Sequence, residues 1–413
     1  MNPQTRVVVT GMGIVAPNGI GLDAYWDSLI HCKSGIGPIT LFDTTGFPLK
    51  IAAEVKTFDL RDYTGTQFKP SRLARQTQFA LAACKMAMEN AGLTTDILAR
   101  KVPISLVMGI CSGAVDVTEK AMETVLSRGP KRVMPHTVGA CQPHAMGAAL
   151  VQMLGQQTTV TTLSAACPSG LDAVTMASRM IREGRTDCVL VGAADSPLNI
   201  STLASFCAAG IPSISTDFPP EEISRPFDAE RTGAVIAEGA AFLILERMDS
   251  ALARGAEPCM EVLGGATFTD MPGIGSMEGI LHSMKTSMRN AGVCSDEIDY
   301  ICANAVSDPN GDRVETEWIK KCFGKRAWSI PVSSIRGVMG HPLSPAGLFQ
   351  LIACALSFKH NTVVPTANLH TPDPACDLDY VPLTPRRCCL NIVMANGHGM
   401  GGENSSVVLK RVS

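Results

Sequence analysis

The chain has 413 residues, enough for two or three domains or one large duplicated one. With 46% hydrophobic and 18% charged residues it is too apolar and too weakly charged to be disordered, so a large buried core is expected. A net charge of −3, Lys and Arg scattered in runs of no more than two, and no apolar stretch near about 18 residues leave no global basic field for nucleic acid and no membrane span.

The opening Met1-Asn2-Pro3-Gln4-Thr5-Arg6 leads straight into Val7-Val8-Val9, too short an apolar run for a signal peptide, so a cytoplasmic location is expected. That triplet with Thr10 reads as a strand entering a tight turn at Gly11-Met12-Gly13. A helix is predicted over 72–91, with Phe79, Leu81, Ala82, Ala83, Met86 and Met88 on a broad apolar face. Apolar runs at 104–109 and 188–192 read as parallel strands buried on both faces.

Two segments then resemble each other. A β-type run at 161–167 leads into a predicted helix over 169–183, and a run at 330–334, a short loop to His341 and a helix over 346–358 repeat the order. The apolar runs 239–247 and 404–411 close the two stretches. The simplest account is a duplication: one half over 1–255 carrying Cys167 and one over 256–413 carrying Asn304 and His341, with helices layered on mixed sheets.

Fifteen cysteines in a long chain with no C-x-x-C pair do not form a disulfide framework or a structural zinc site, and most are expected to be reduced core residues. Cys167 has a different setting. Ala165, Ala166 and Gly170 permit a sharp strand-to-helix turn, and a helix start offers unpaired N–H groups that favour thiolate and can cradle an oxyanion. His341, in Gly340-His341-Pro342 before the second helix, is read at the repeat position of Cys167, where an imidazole could pair with the thiolate.

Ala166-Cys167-Pro168-Ser169-Gly170, Ser224-Arg225-Pro226-Phe227-Asp228, Ala237-Glu238-Gly239-Ala240, Gly340-His341 and Gly399-Met400-Gly401-Gly402-Glu403-Asn404 resemble the motifs of the β-ketoacyl-acyl-carrier-protein synthases, nearest the synthase II and type II polyketide branch. The resemblance covers essentially the whole chain and implies a duplicated α/β thiolase-like fold, an αβαβα layering and a dimer. It implies decarboxylative condensation on the phosphopantetheine arm of an acyl carrier protein, with no bound cofactor and no metal. Carried over residue by residue, it implies Cys167 as nucleophile, His341 as one of two assisting histidines, Arg336 where the family has lysine, and Glu315 as the supporting glutamate. The N–H groups of Cys167 and Met400 would form the oxyanion hole.

The chain also departs from the family. Cys302-Ala303-Asn304-Ala305-Val306-Ser307-Asp308-Pro309 has Asn304 where the family has its other histidine, and Val306 and Asp308 where two threonines hold the arm. Asparagine can donate a hydrogen bond but does not titrate near neutral pH, and a carboxylate at Asp308 is expected to repel a malonyl carboxylate. His398, Met400 and Glu403 replace two phenylalanines and a threonine. His398 is read first as a gate-position substitution, and second as an imidazole that replaces the lost one from the opposite loop. These departures place a degenerate, chain-length-factor-like partner of an active ketosynthase slightly ahead of a catalytic synthase or acyltransferase using Cys167. A coenzyme A-dependent thiolase relative fits less well. The partners expected are an acyl carrier protein and a second subunit, identical or homologous.

Overall fold

Residues 5–93, 104–271 and 277–412 are described by the computed structural model, so residues 1–4 of the opening lie outside it. The valine run forms β1 (Val7–Ala16), which does not turn at Gly11 but continues through a register shift between Val9 and Gly11. The glycines serve packing. A Cβ on Gly11 would lie 2.3 Å from Ala87 O, and one on Gly13 2.0 Å from Ala83 O. Both oxygens belong to α1 (Arg75–Asn90), whose backbone rests directly on the strand. This helix begins later than its apolar pattern suggests, because Pro70–Arg72 closes a separate 3-10 turn and Leu73 and Ala74 are extended.

The first half continues with β2 (Ile104–Gly109), β3 (Thr159–Leu163), α2 (Ser169–Arg182), β4 (Cys188–Asp195) and β5 (Gly239–Arg247). The second runs β6 (Met260–Thr269), α3 (Gly279–Ala291), β7 (Tyr300–Cys302), α4 (Gly311–Phe323), β8 (Val332–Ser333), α5 (Ala346–His360), β9 (Ile392–His398) and β10 (Glu403–Lys410). The strand order is β3-β2-β4-β5-β1 in the first and β8-β7-β9-β10-β6 in the second, the same permutation twice. In each half the first three strands of that order are parallel and the next is antiparallel to both its neighbours. The halves are not separate sheets, as a plain duplication suggests. Val8 pairs with Glu261 and Val9 with Met260, so β1 and β6 join them along one path.

Alternation along the strands explains the unbroken apolar runs. Val107, Val189, Val191, Leu243 and Leu245 face a central core shared by both halves, while Leu106, Leu190, Phe242 and Ile244 face an outer core against α1. In the second half Val393, Val407 and Leu409 join the central core, and Met394 and Val408 an outer one with α3 and α4. The central layer is made by α2, which touches β2 and β4 on one side and β6 and β10 on the other, and by α5, which touches β5 and β9. Every residue of α5 from Ala346 to Phe358 is buried, as an all-round apolar helix requires.

The starts of α2 and α5 meet. Gly170 N–H donates to Ser344 O at 3.2 Å. A Cβ on Gly170 would come within 2.6 Å of that oxygen, and one on Gly347 within 2.4 Å of Leu171 Cγ. Gly170→Ala is expected to cost about 1–3 kcal/mol by overpacking, read as a lower denaturation midpoint; an unchanged midpoint would show that the helices have slack.

Candidate active site

Cys167 sits where β3 gives way to α2. Ala166 adopts a left-handed φ of 52°, and Pro168 then begins the helix. A left-handed alanine is strained, and Ser169 holds it: its hydroxyl donates to Ala166 O at 2.6 Å and accepts from Ala165 N–H at 2.8 Å. The elbow leaves Cys167 only 5% exposed. A hydrogen bond from the Cys111 thiol favours its thiolate most, burial opposes it, and His341 and Arg336 add to the favourable side; the pKa is held well below the ordinary thiol value. Cys111 is pushed correspondingly up. No hydrogen bond engages the backbone N–H of Cys167 or of Met400 among the described residues. Both residues line an open pocket of ≈ 460 Å³ with Cys111, Phe206 and Leu343. Met400, at its mouth, is 62% exposed.

His341 does not occupy the repeat position of Cys167. Leu343 (φ 61°), Ser344 and Pro345 before α5 reproduce Ala166, Cys167 and Pro168 before α2, so the counterpart of Cys167 is Ser344. The intervening stretch is partly helical (Arg336–Met339), which moves His341 back from the helix start. It is a buried residue and not a solvated loop histidine: its backbone N–H donates to Val235 O at 2.7 Å, its carbonyl accepts from Ala237 N–H at 3.0 Å, and its Nδ1 has no partner.

Arg336 is fully buried, with no carboxylate in ion-pair range among the described residues. Its Nε donates to Asn304 O at 3.3 Å and its Nη2 to Gln350 Oε1 at 3.1 Å. Burial lowers its pKa, opposed by several groups that include Cys167 and Glu315. Glu315, from α4, accepts from the N–H groups of Asn304 (3.0 Å) and Ala305 (2.9 Å). Burial pushes this carboxyl up, but His398 and the two N–H groups outweigh it, and its pKa is lowered. His398 Nε2 lies 3.3 Å from Glu315 Oε1.

Asp308 does not point its charge into the pocket. Its Oδ1 accepts from Asn310 N–H (3.1 Å) and Gly311 N–H, so it terminates α4 at the helix end that favours an anion. Val306, beside it, is half-buried.

The sequence reading missed Asp195. This fully buried carboxylate at the end of β4 accepts from Ser112 N–H and Oγ (2.9 and 2.7 Å), Cys111 N–H (3.1 Å), and Ser344 N–H (3.1 Å) and Oγ. It ties the Cys111 loop to the second elbow. Gln350 was also missed: its amide donates to the carbonyls of Cys302, Ala303 and Asn396 between 2.8 and 3.0 Å. An acid closing an apolar strand, and a lone glutamine within an apolar helix, were the available signals.

The profile described as "Beta-ketoacyl synthase, N-terminal domain" matches residues 4–251, and "Beta-ketoacyl synthase, C-terminal domain" matches 265–370. The chain belongs to the β-ketoacyl synthase family. It is 40% identical to a Streptomyces halstedii protein assigned as polyketide beta-ketoacyl synthase 1, over 98% of this chain and 97% of that one. It is 35% identical to 3-oxoacyl-[acyl-carrier-protein] synthase 2 of Coxiella burnetii, over 99% of each. The structure titled "The ishigamide ketosynthase/chain length factor" superposes with a TM-score of 0.92 at 30% identity, covering 99% of this chain and 100% of that one. The fold is thus the thiolase-like ketosynthase fold, and the family's setting is carrier-protein-dependent fatty acid or polyketide chain elongation. Among the described residues no helix is long and apolar enough to cross a membrane.

With its thiolate favoured, Cys167 should be alkylated by limiting iodoacetamide before Cys84, whose thiol burial pushes up. As pH falls its alkylation should persist to lower pH than that of an unperturbed thiol. Peptide mapping across a pH series reads both, and equal labelling of Cys84 would refute the elbow assignment.

Proposed function

We propose that this chain is a thiol-dependent ketosynthase subunit that takes an acyl group from an acyl carrier protein onto Cys167 and extends it by decarboxylative condensation. The observation that carries this reading is the Cys167 elbow, a favoured thiolate beside two unengaged backbone N–H groups.

The Cys167 sulfur attacks the carrier's thioester carbonyl. The N–H groups of Cys167 and Met400 hold the oxyanion as it forms, and the carrier thiolate leaves. Cys111 first, then His341 and Arg336, favour the anionic form of the attacking sulfur. A malonyl thioester then loses carbon dioxide, and the electron pair of the broken C–C bond moves into an enolate. The enolate carbon attacks the acyl carbonyl on Cys167, forming the new C–C bond, and the Cys167 thiolate leaves. One carboxylate charge is consumed and one thiolate charge returned. Glu315 orients the loop carrying Asn304, and Ser112, Ser201, Thr202 and Ser205 line the pocket by which a phosphopantetheine arm would reach the sulfur. The acyl carrier protein is the proposed carrier, as in the solved complex titled "AntDE:AntF (apo): type II PKS acyl-carrier protein in complex with its ketosynthase bound to the hexaketide", which is 28% identical at a TM-score of 0.90. Edge strand β3, with Val160 exposed, leaves a row of backbone groups for a second subunit, a copy of this chain or an active homologue.

Asn304 favours a second reading, a non-condensing partner. One experiment separates them. Incubated alone with an acyl-carrier protein, the wild type should gain one acyl group by intact mass and Cys167→Ala none. Elongation that appears only beside an active ketosynthase and survives Cys167→Ala would assign the chain the partner role.

A further inference from the structure

Decarboxylation places negative charge on the thioester oxygen of the malonyl unit, and a buried site must supply donors for it. His341 is one imidazole beside Cys167. A second, His398, lies on the strand end that packs against the Cys167 elbow. The His398 side chain is 8% exposed at the end of β9. Its neighbours in sequence touch the neighbours of the nucleophile: a Cβ on Gly397 would lie 3.4 Å from Pro168 Cβ, and one on Gly399 3.2 Å from Ala166 Cβ. Its Nε2 lies 3.3 Å from Glu315 Oε1, the oxygen that also accepts the N–H of Asn304, so ring and Asn304 backbone share one anchor. The contact is in ion-pair range although the ring is not aligned for a hydrogen bond, and Nδ1 is buried with no partner. A buried imidazole held by a carboxylate on one side and unpaired on the other is costly unless something fills the second position.

We infer that His398 is a catalytic residue of the condensation, donating from its unpartnered ring nitrogen to the malonyl thioester oxygen as the enolate forms, opposite His341. Glu315 on one side fixes the ring's orientation, and an N–H on the unpartnered nitrogen is the donor toward the enolate oxygen. The proton stays on the ring throughout. The C–C electron pair passes to the enolate and then to the new bond at the acyl carbonyl, and carbon dioxide leaves. The Asn304 amide, without an imidazole's capacity to carry charge, does not substitute for it.

The inference rests on acylation of Cys167, so the test reads acylation and decarboxylation separately in the full-length protein, with any partner subunit it needs. Acylation is followed by intact mass from an acyl-carrier protein, and decarboxylation by release of labelled carbon dioxide from malonyl-carrier protein. His398→Phe should retain acylation within about threefold and lose decarboxylation by about 10²–10⁴-fold. Adding Asn304→His to His398→Phe should recover part of the loss by returning an imidazole to the Glu315 anchor. Decarboxylation by His398→Phe at the wild-type rate, with Cys167 acylated, overturns the inference and leaves the thiol reading standing. A wild type that never acylates Cys167 refutes the thiol reading instead. If His398→Phe loses both activities, His398→Gln decides by the same ratio: decarboxylation reduced at least about tenfold more than acylation supports the role, and equal loss overturns it.

Discussion

The close approach of α2 and α5 is the constraint on which the rest of the structure depends. Two helix starts can come this near only where both lack side chains, and Gly170 and Gly347 meet that condition from opposite halves. Gly170 N–H bonds to Ser344 O, so the start of one helix is fixed on the elbow of the other. Asp195 extends the joint to the Cys111 loop, whose thiol in turn favours the Cys167 thiolate. The position of Cys167 therefore follows from a packing contact between duplicated elements.

Duplication accounts for the site as well as the fold. Each half builds a strand, a left-handed residue, a proline and a helix whose start is buried. In the first half the elbow side chain is the thiol; in the second it is Ser344, spent on Asp195. The symmetry is thus used once for chemistry and once for structure. His341 lies outside the symmetric element and reaches the site through its strap to Val235 and Ala237.

The charges around Cys167 are unusual in having few counter-charges. Removing an ion from water costs several kcal/mol per ion unless it is compensated. Arg336 is compensated by carbonyl dipoles and by the thiolate, while Glu315 has two backbone N–H groups and the His398 ring. Gln350 holds three carbonyls in place around them. Such fixed dipoles need not reorganise when charge moves, and this is the physical basis on which a buried polar site can stabilise a developing anion.

Much of this was legible in the sequence. Strands buried on both faces write themselves as unbroken apolar runs, and the repeat of run, small residues and Ala-rich helix announced two related halves. Cys167 stood out because its small neighbours allow a sharp turn. Local rules misled where a tertiary partner decided the matter. The glycines of β1 serve the backbone of α1 and not a turn, and Asp308 caps α4 instead of facing the pocket. The contact of His398 with Glu315 was not legible, because the carboxylate lies 83 residues away in sequence, from His398 back to Glu315. Periodicity and turn chemistry are written in neighbouring residues, so the sequence by itself determined the elements, their duplication and the elbow that carries Cys167. Which buried polar groups meet, Asp195 with Ser344 and His398 with Glu315, depends on distances between segments remote in the chain, and only the tertiary structure decided it.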